Sequence, residues 1–500
     1  MSETSTKGIW KVISASSMGT LIEWYDFYIF GSLAVVISTK FFPSDNPTAA
    51  FLSTLATFAA GFVVRPFGAL FFGRLGDLIG RKYTFMATLL LMGGATFLIG
   101  CIPSYESIGY LAPVLVLILR LLQGLALGGE YGGAATYVAE HSPKNQRGYW
   151  TSWIQTTATV GLFVSLMVIL ATKSILSEQA FDEWGWRVPF WVSILMVFVS
   201  YLIRKKMHES PEFAKAKAEG KTSLNPLKES FGNKYNLKFV LLALFGATMG
   251  QGVVWYTGQF YAMNFMKTVL NIDSSQVDTL LGIALLFGTP FFVVFGWLSD
   301  KIGRKSIMMT GMLLAILLYR PIYKTMYETV DLKYKVISKT MPDETAVDDK
   351  KHQKHITSIC EYSDGTHVKT VSTTDLAKEN AKPELKTTLT INNHDRWMLV
   401  FLVFIQVIFV TMVYGPIAAF LVEMFPTKIR YTSMSLPYHV GNGIFGGLLP
   451  AISTYFVTTA KDNGDPEFYL EGLWYPIVIA SICFVIGMIY LNRKNETIND

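Results

Sequence analysis

GRLGDLIGRK at residues 73–82 recurs as GWLSDKIGRK at residues 296–305, and each copy lies between two long apolar stretches. A second phrase, E-x-x-P-x-x-x-R, is also doubled, at residues 140–147 and 423–430. The copies of the first phrase are 223 residues apart and those of the second are 283 apart, so the second half contains an insertion of 60 residues. Duplicated halves in one apolar chain predict a membrane protein built from two related helical bundles.

The composition indicates a polytopic membrane protein. Hydrophobic residues make up 51% of the 500 and charged residues only 16%, with a mean hydropathy of +0.36, which leaves too little polar surface for a soluble particle. Twelve apolar runs reach about 20 residues, the length that crosses about 30 Å of hydrocarbon. We therefore predict an all-α fold of twelve transmembrane helices in two pseudo-symmetric six-helix bundles. The helices are predicted at residues 10–37, 50–72, 83–103, 108–138, 149–172, 187–204, 238–266, 279–298, 306–325, 397–422, 432–458 and 472–491.

The placement of Lys and Arg predicts the orientation in the membrane. The two tails and the loops on the side of the repeated phrase hold 23 of these residues, whereas the short loops on the opposite side hold 5. Because short cytoplasmic loops retain positive charge, both termini are expected in the cytoplasm. Residues 1–9 are polar and are followed by an overlong apolar run, so no cleavable signal peptide is predicted. The net charge of +6 follows from this bias and indicates no nucleic-acid partner.

The insertion is expected on the extracytoplasmic side. Its alternating segments THVKTVSTT and LKTTLTI favour short β-hairpins. His352, His355 and His367 lack the carboxylate or cysteine spacing of a metal site, and three scattered cysteines support neither a disulfide framework nor a metal cluster. No partner for the insertion is indicated. The predicted regions are an N-terminal bundle at 1–204, a cytoplasmic interdomain linker at 205–237, the first part of the C-terminal bundle at 238–325, the insertion at 326–394, and the rest of that bundle with a short cytoplasmic tail at 395–500.

Further motifs carry a resemblance to a known family. They are GTLIEWYDFYIFG at 19–31, VVRPFGALFFG around Arg65, RLLQGLALGGEYGG from Arg120, WGWRVPF at 184–190 and ESPEF at 209–213. With the repeated loop phrase, they resemble the major facilitator superfamily and, within it, the metabolite:proton symporters. The resemblance implies the major facilitator fold, a bacterial cytoplasmic or inner membrane, no cofactor, and a substrate such as α-ketoglutarate, citrate, shikimate, proline or betaine. All of these substrates carry a carboxylate.

The repeated phrases predict a conformational latch at the cytoplasmic face. Asp77 can accept hydrogen bonds from backbone N–H groups at a helix N-terminus across the interface between the halves, while Arg81 neutralises its charge. Breaking such a pair leaves an uncompensated charge, which favours two discrete arrangements. The alternative is a plain positively charged loop. The predicted latch residues are Gly73, Asp77, Gly80, Arg81, Lys82, Glu140, Arg147, Gly296, Asp300, Gly303, Arg304, Lys305, Glu423 and Arg430.

Of the 43 Lys and Arg residues, 23 and 5 are assigned to the tails and short loops and 13 lie between Arg320 and Arg396, which leaves Arg65 and Arg120. Glu23, Asp26 and Glu130 are possible acidic partners within the same half. A charge at bilayer depth costs about 2.5–3.5 kcal/mol on insertion scales and usually marks a transport path. Glu23 and Asp26 share one helix face, so their mutual repulsion favours protonation of one of them. We expect Arg65 to pair with Glu130 and Arg120 to face the carboxylates of the first helix.

These residues predict proton-coupled uptake of a small carboxylate-bearing metabolite by alternating access. Arg120 is the expected anion contact, Asp26, Glu23 or Glu130 the proton site, and Arg65 a member of the helix charge network. A static salt bridge is the alternative for each Arg, and His439 is either a proton shuttle or a packing residue. Further substrate contacts are predicted at Gln123, Tyr131, Trp255, Tyr256, Gln259, Tyr414 and Asn442.

Other functional classes remain as alternatives. A sugar or metabolite facilitator without proton coupling would share the fold, and so would a membrane sensor that no longer transports. An enzyme is not expected, because the sequence contains no paired-carboxylate cleft, nucleophile elbow, metal spacing or nucleotide loop.

Overall fold

The computed structural model describes residues 6–43, 47–348, 353–375 and 383–491. Within these residues, ten helices are long and apolar enough to cross a membrane, and a bent pair, Gly8–Ser32 with Ala34–Phe41, provides an eleventh span. The helix Pro47–Leu78 has 32 residues and is long enough to be the twelfth. The twelve predicted helices are therefore confirmed.

The helices form two bundles that follow each other along the chain. In the N-terminal bundle they are α1 (Thr6–Ser32, with its bent continuation Ala34–Phe41), α2 (Pro47–Leu78), α3 (Arg81–Ile99), α4 (Leu111–His141), α5 (Lys144–Ile175) and α6 (Gly185–Lys205). In the C-terminal bundle they are α7 (Lys234–Thr268), α8 (Ser274–Ile302), α9 (Arg304–Thr329), α10 (Asn393–Met424), α11 (Arg430–Asp462) and α12 (Phe468–Tyr490).

Small residues let α2 and α4 pack backbone against backbone. A Cβ added at Gly124 would overlap the carbonyl of Gly61, and one at Gly128 would overlap the carbonyl of Arg65. Such stripes allow close approach of helices inside a bilayer, where burial of apolar surface does not drive association. This contact holds Arg65 and Arg120, on neighbouring helices, at a fixed separation.

The loops with the repeated phrase lie at one end of the bundles, which we call the signature face; the opposite end, where the insertion lies, is the insertion face. The linker between α6 and α7 contains the helix Pro211–Ala218, whose first turn is capped by Ser210. Contacts between the bundles are concentrated at the signature face, where α5 packs on α8 and α2 packs on α11. The two bundles are thus closed against each other at this end.

The insertion folds into a five-stranded antiparallel sheet between α9 and α10. Its strands are β1 (Ile337–Thr340), β2 (Glu344–Asp348), β3 (Gln353–Tyr362), β4 (His367–Asp375) and β5 (Glu384–Thr390), in the order β1-β3-β4-β5 with β2 also paired to β3. The two segments with alternating sequence form β4 and β5, as predicted. Val368, Leu389 and Ile391 at the base of the sheet join the core of the C-terminal bundle.

Backbone and charged contacts attach this sheet to the C-terminal bundle. Leu389 donates its N–H to the carbonyl of Asn271 (2.7 Å), and its own carbonyl accepts from the N–H of Asp273 (2.8 Å). The strand β5 is therefore paired with the loop between α7 and α8. Lys335 bridges Asp364 (2.8 Å) and Asp395 at the start of α10. The sheet is therefore carried by the C-terminal bundle.

Acid is expected to loosen this attachment. Partial burial would raise the pKa of Asp364, but hydrogen bonds from Lys335 and Thr366 outweigh it and hold that pKa at about 2, below the usual 3.8. Because the folded pKa is depressed, the stabilisation is complete above about pH 4 and is lost as the pH falls towards 2. Hydrogen-exchange protection of β4 and β5 should fall over this range. In Lys335→Met, protection should already be lower at neutral pH and should change less between pH 4 and 2, because the pKa of Asp364 then lies closer to its unfolded value. A profile that matches the wild type would contradict the role of the Lys335 bridge.

Candidate functional site

The first copy of the repeated phrase joins the two bundles at the signature face. Asp77, at the end of α2, accepts hydrogen bonds from the backbone N–H groups of Tyr431 (3.3 Å) and Thr432 (2.8 Å) in the first turn of α11. The guanidinium of Arg81 lies 3.0 Å from the same carboxylate, and both side chains are fully buried. This is the contact across the interface that the spacing predicts.

The second copy makes the matching contact in the opposite direction. Asp300, on α8, accepts hydrogen bonds from the backbone N–H groups of Gly148 (2.9 Å) and Tyr149 (2.8 Å) near the start of α5. Arg304 bonds both Asp300 (2.5 Å) and Glu423 (2.9 Å). Each bundle thus caps the end of a helix in the other with one carboxylate.

Glycines set the shape of these two loops. Gly80 (φ 127°) and Gly303 (φ 97°) hold a backbone conformation that other residues rarely adopt. Gly73 passes so close to α11 that a Cβ would lie 2.9 Å from the Cα of Thr432, and a Cβ at Gly296 would overlap Ser152. These positions explain the glycines that a plain basic loop would not require.

The doubled E-x-x-P-x-x-x-R phrase contributes a second layer of charge. Arg430 bonds Glu140 (2.8 Å) and Glu212 (2.6 Å) of the linker helix, and Glu212 also pairs with Arg147. Glu140 further reaches Arg81 at 3.5 Å. Sequence reasoning missed Glu212, although it lies in the ESPEF motif, because that motif served only as a mark of resemblance.

The two lysines of the phrase make local contacts. The backbone N–H of Lys82 donates to the carboxylate of Glu209 in the linker (3.3 Å), and Lys305 donates its Nζ to the carbonyl of Met488 (2.8 Å) near the end of α12. Glu209 is a further residue that the sequence did not single out. The lysines thus tie the loops to the linker and to α12 rather than to the opposite bundle.

Asp77→Asn is expected to open the signature face more often. The change removes the ion pair with Arg81 and weakens two charge-assisted hydrogen bonds, which destabilises the closed state by about 1.5–3 kcal/mol. The ratio of open to closed protein should therefore rise by roughly ten- to hundredfold. Maleimide labelling of Ser435→Cys, a fully buried position on α11, in a background without the three native cysteines would measure it. Asp462→Asn, at an exposed position, is the control; equal labelling of both variants would contradict the latch.

A buried network occupies the centre of the N-terminal bundle. Arg120 on α4 donates to Asp26 of α1 at 3.0 Å and to Oε1 of Gln123 at 2.7 Å. Gln123 in turn donates to Asp26 (2.9 Å) and to the hydroxyl of Thr96 (2.7 Å). Arg120 and Asp26 are 3% and 1% exposed. The pairing of Arg120 with a carboxylate of the first helix is therefore present as predicted.

The predicted pair of Arg65 with Glu130 is wrong. Arg65 instead lies 3.3 Å from Glu23, with its guanidinium over the ring of Phe62 at 4.3 Å. Glu130 bonds Arg204 at 2.6 Å. Arg204 ends the apolar run of α6 beside two lysines, so its sequence context is that of a loop, but its long side chain turns back into the bundle.

Arg204 and Glu130 form a fully buried unit. The guanidinium of Arg204 stacks on the ring of Phe85 at 3.4 Å and donates to the carbonyls of Phe85 (2.5 Å) and Ala15 (3.3 Å). Glu130 also accepts from the hydroxyl of Thr88 (2.7 Å). The hydrogen bonds named here all stay within the N-terminal bundle, while Tyr431 of α11 lies within electrostatic range of both charges. Glu130 remains a candidate proton site.

Neutral polar groups of the C-terminal bundle lie near the pair of Glu23 with Arg65, whose charges act on Tyr256 and Tyr414. Gln251 on α7 and Asn442 on α11 exchange hydrogen bonds of 3.1 and 3.0 Å. The hydroxyls of Tyr414 and Tyr438 are 2.6 Å apart, and the ring of Tyr131 from the other bundle stacks on Tyr438 at 3.7 Å. The predicted substrate contacts Tyr131, Tyr414 and Asn442 are therefore brought together around Tyr438.

Aromatic rings from both bundles meet beside these groups. Trp24 lies 5.1 Å from Trp255, which in turn lies 4.8 Å from Tyr256. Phe27 lies 5.3 Å from Phe260. Gln259, the remaining predicted substrate contact, is buried on α7 in the π-helical turn Thr257–Tyr261. Irregular turns of this kind often occur at functional sites.

The histidines form no cluster that could hold a metal within the described ranges. His352 lies outside those residues. His355 contacts the hydroxyl of Thr373 on the neighbouring strand at 3.0 Å. His439 is buried on α11 beside Tyr438.

Comparison with known proteins identifies the family. A model described as sugar (and other) transporter matches residues 11–238. A metabolite transport protein of Haemophilus influenzae is 32% identical over 455 residues, which cover 88% of this chain and 88% of the relative. The chain belongs to the major facilitator superfamily. Accordingly, it is a multi-span membrane transporter and not an enzyme.

Further relatives of this major facilitator protein have named substrates. The α-ketoglutarate permease of Escherichia coli is 28% identical over 495 residues, covering 99% of this chain and 96% of the permease. The citrate-proton symporter of Klebsiella pneumoniae is 29% identical over 482 residues, covering 95% and 90%. The solved structure of the proton:xylose symporter XylE aligns with a TM-score of 0.67 over 98% of this chain and 97% of XylE; at 15% identity it supports the fold alone.

Proposed function

We propose that this transporter takes up a small carboxylate-bearing metabolite together with a proton. The observation that carries the proposal is the buried pair of Asp26 and Arg120, whose guanidinium already holds one carboxylate at 3.0 Å. A substrate carboxylate can occupy the same guanidinium only if Asp26 releases it, and protonation of Asp26 provides that release. Proton and substrate therefore favour each other's binding through one shared cation.

The two-bundle architecture supplies the conformational cycle. The signature face is closed by the contacts of Asp77 and Asp300, so we propose that substrate and proton enter from the insertion face. Filling the shared site would favour closure at that end and opening of the latch at the other. Loss of the proton then lets Asp26 return to Arg120 and expel the substrate.

The membrane and the orientation are part of the same proposal. An inner membrane metabolite transport protein of E. coli is 39% identical over 316 residues, 61% of this chain and 70% of that protein. The excess of Lys and Arg at the signature face favours a cytoplasmic location for this face and for both termini. We therefore place the protein in a bacterial cytoplasmic membrane, with the inserted sheet outside.

Uptake into proteoliposomes tests the function. Labelled α-ketoglutarate, citrate, shikimate and proline are offered with and without an inward proton gradient, to wild type and to Arg120→Gln. Gradient-driven accumulation of one of them by the wild type, lost in the variant, is the expected result. Equilibration at the same rate with and without the gradient would favour a facilitator, and binding without movement would favour a sensor.

A further inference from the structure

The charged side chains at the centre of the protein sum to zero. Glu23 pairs with Arg65 at 3.3 Å and Asp26 pairs with Arg120 at 3.0 Å. The third pair is also neutral, and it is sealed inside the N-terminal bundle at 0% and 1% side-chain exposure. Arg65 is the most exposed member of the first two pairs, with 15% of its side chain accessible.

The wall of the C-terminal bundle opposite these pairs adds no charge within the described part of the chain. Tyr256 and Tyr414 interact electrostatically with Glu23 and are neutral phenols. Gln251 and Asn442 are neutral amides. His439 lies within electrostatic range of Arg65, is 2% exposed, and has no hydrogen-bond partner for its Nε2 among the described residues. An imidazolium there would bury an N–H without an acceptor beside another cation, at a cost in free energy.

One bound proton brings this set of side chains to a charge of +1. A single substrate carboxylate cancels that charge. A second carboxylate would need Arg65 as well, which Glu23 holds at 3.3 Å and would release only on taking up a second proton. With one proton, the extra charge would stay uncompensated at a cost of about 2.5–3.5 kcal/mol. A zwitterion would leave the +1 uncancelled. We infer that the substrate carries one net negative charge and moves with one proton, which holds only if the proposed symport is correct.

The surroundings of the charges define the rest of the substrate. Trp24 and Trp255, from opposite bundles, have ring centroids 5.1 Å apart, and Phe27 and Phe260 are 5.3 Å apart. The indole N–H of Trp255 is buried and has no acceptor in the described structure. A buried donor of this kind gains from a partner. A planar or ring-sized substrate body that entered between the bundles would replace these ring–ring contacts with its own, and a hydroxyl or carbonyl on it would give the indole an acceptor.

The charge of the transported species can be measured directly. Proteoliposomes with an inward proton gradient are offered shikimate and benzoate as ring monoanions, α-ketoglutarate as a dianion, citrate as a trianion and glycine betaine as a zwitterion. The passive uptake by protein-free vesicles, which is substantial for benzoic acid, is subtracted from each rate. The membrane potential is then set with potassium and valinomycin. A monoanion moving with one proton carries no net charge, so its initial rate should stay the same between inside-negative and inside-positive vesicles.

The outcomes separate this proposal from the symport itself. A ring monoanion taken up at least tenfold faster than the others, independently of potential, supports both. Proton-dependent uptake that favours a dianion, a trianion or betaine, or that responds to potential, overturns the substrate class and leaves symport standing. Uptake that ignores the proton gradient overturns both.

A variant of Trp255 tests the hydroxyl contact. Trp255→Phe keeps an aromatic ring and removes the N–H, so KM for shikimate should rise about tenfold, the value of one hydrogen bond to a buried donor. KM for benzoate, which has no hydroxyl, should change less than twofold in the same variant. An equal change for both substrates would contradict the contact, and a thermal unfolding curve in detergent that matches the wild type would show that the variant is folded.

Discussion

Asp26→Asn is expected to abolish proton-driven accumulation while preserving exchange of substrate across the membrane. The amide keeps the size of the carboxylate but cannot take up or release a proton, so the guanidinium of Arg120 stays available to the substrate. With a gradient of one pH unit, worth about 1.4 kcal/mol, the wild type should concentrate substrate about tenfold at a stoichiometry of one proton. The variant should reach only the external concentration, yet still exchange labelled for unlabelled substrate.

Two further variants make this result specific. Glu23→Gln should still couple accumulation to the proton gradient if Asp26 is the proton site, because the pair with Arg65 is separate from that with Arg120. Its rate should be lower, since Arg65 loses its counter-charge. Arg120→Gln should lose both accumulation and exchange, since it removes the anion contact. Accumulation that persists in Asp26→Asn and disappears in Glu23→Gln would move the proton site to Glu23.

Arg204→Ala is expected to destabilise the protein strongly. It leaves Glu130 buried at 0% exposure without its ion pair, and breaking a buried pair on one side typically costs about 3–5 kcal/mol. Thermal unfolding of the purified protein in detergent should therefore begin well below the wild-type temperature. Lys205→Ala, the exposed neighbour on the same helix, should unfold like the wild type.

The double variant Glu130→Gln with Arg204→Met distinguishes a structural pair from a proton site. Removing both charges takes away the buried unpaired carboxylate, so much of the lost stability should return. Accumulation should return with it if the pair only holds α4 and α6 together. Restored folding without proton-driven accumulation would show that Glu130 carries a proton after all.

The sequence predicted the helices, the duplicated halves and the contact of Asp77 with the opposite bundle. Each depends on local information: the length of apolar runs, the spacing of two phrases, and a carboxylate next to glycines. The pairing of Arg120 with α1 was accessible for a similar reason, because few carboxylates lie at that depth. Even so, the choice of Asp26 over Glu23 came from the structure.

Side-chain contacts between segments far apart in the chain could not be predicted from such local patterns. Arg204 follows the last apolar turn of α6 and precedes Lys205 and Lys206, so charge alone marks it as part of a loop. Only the packing of α6 on α3 and α1 shows that its guanidinium reaches Glu130. Gly19 is a local indication of this contact, because any side chain at that position would overlap Glu130 and Arg204. The contacts of Glu209 and Glu212 could not be predicted either, because both residues lie in a linker whose conformation depends on the surface it packs against.

The inserted sheet gives this small membrane protein a landmark outside the detergent belt. Transporters of 55.9 kDa with nothing beyond their helices are hard to align in single-particle images. Here β5 is hydrogen-bonded to the loop between α7 and α8, and Lys335, just before the first strand, bonds Asp395 of α10, so the sheet reports the position of the C-terminal bundle. A nanobody that binds β3 and β4 would therefore mark the orientation of the C-terminal bundle. Its angle to the N-terminal bundle in single-particle images would show which conformation of the transport cycle each particle has adopted.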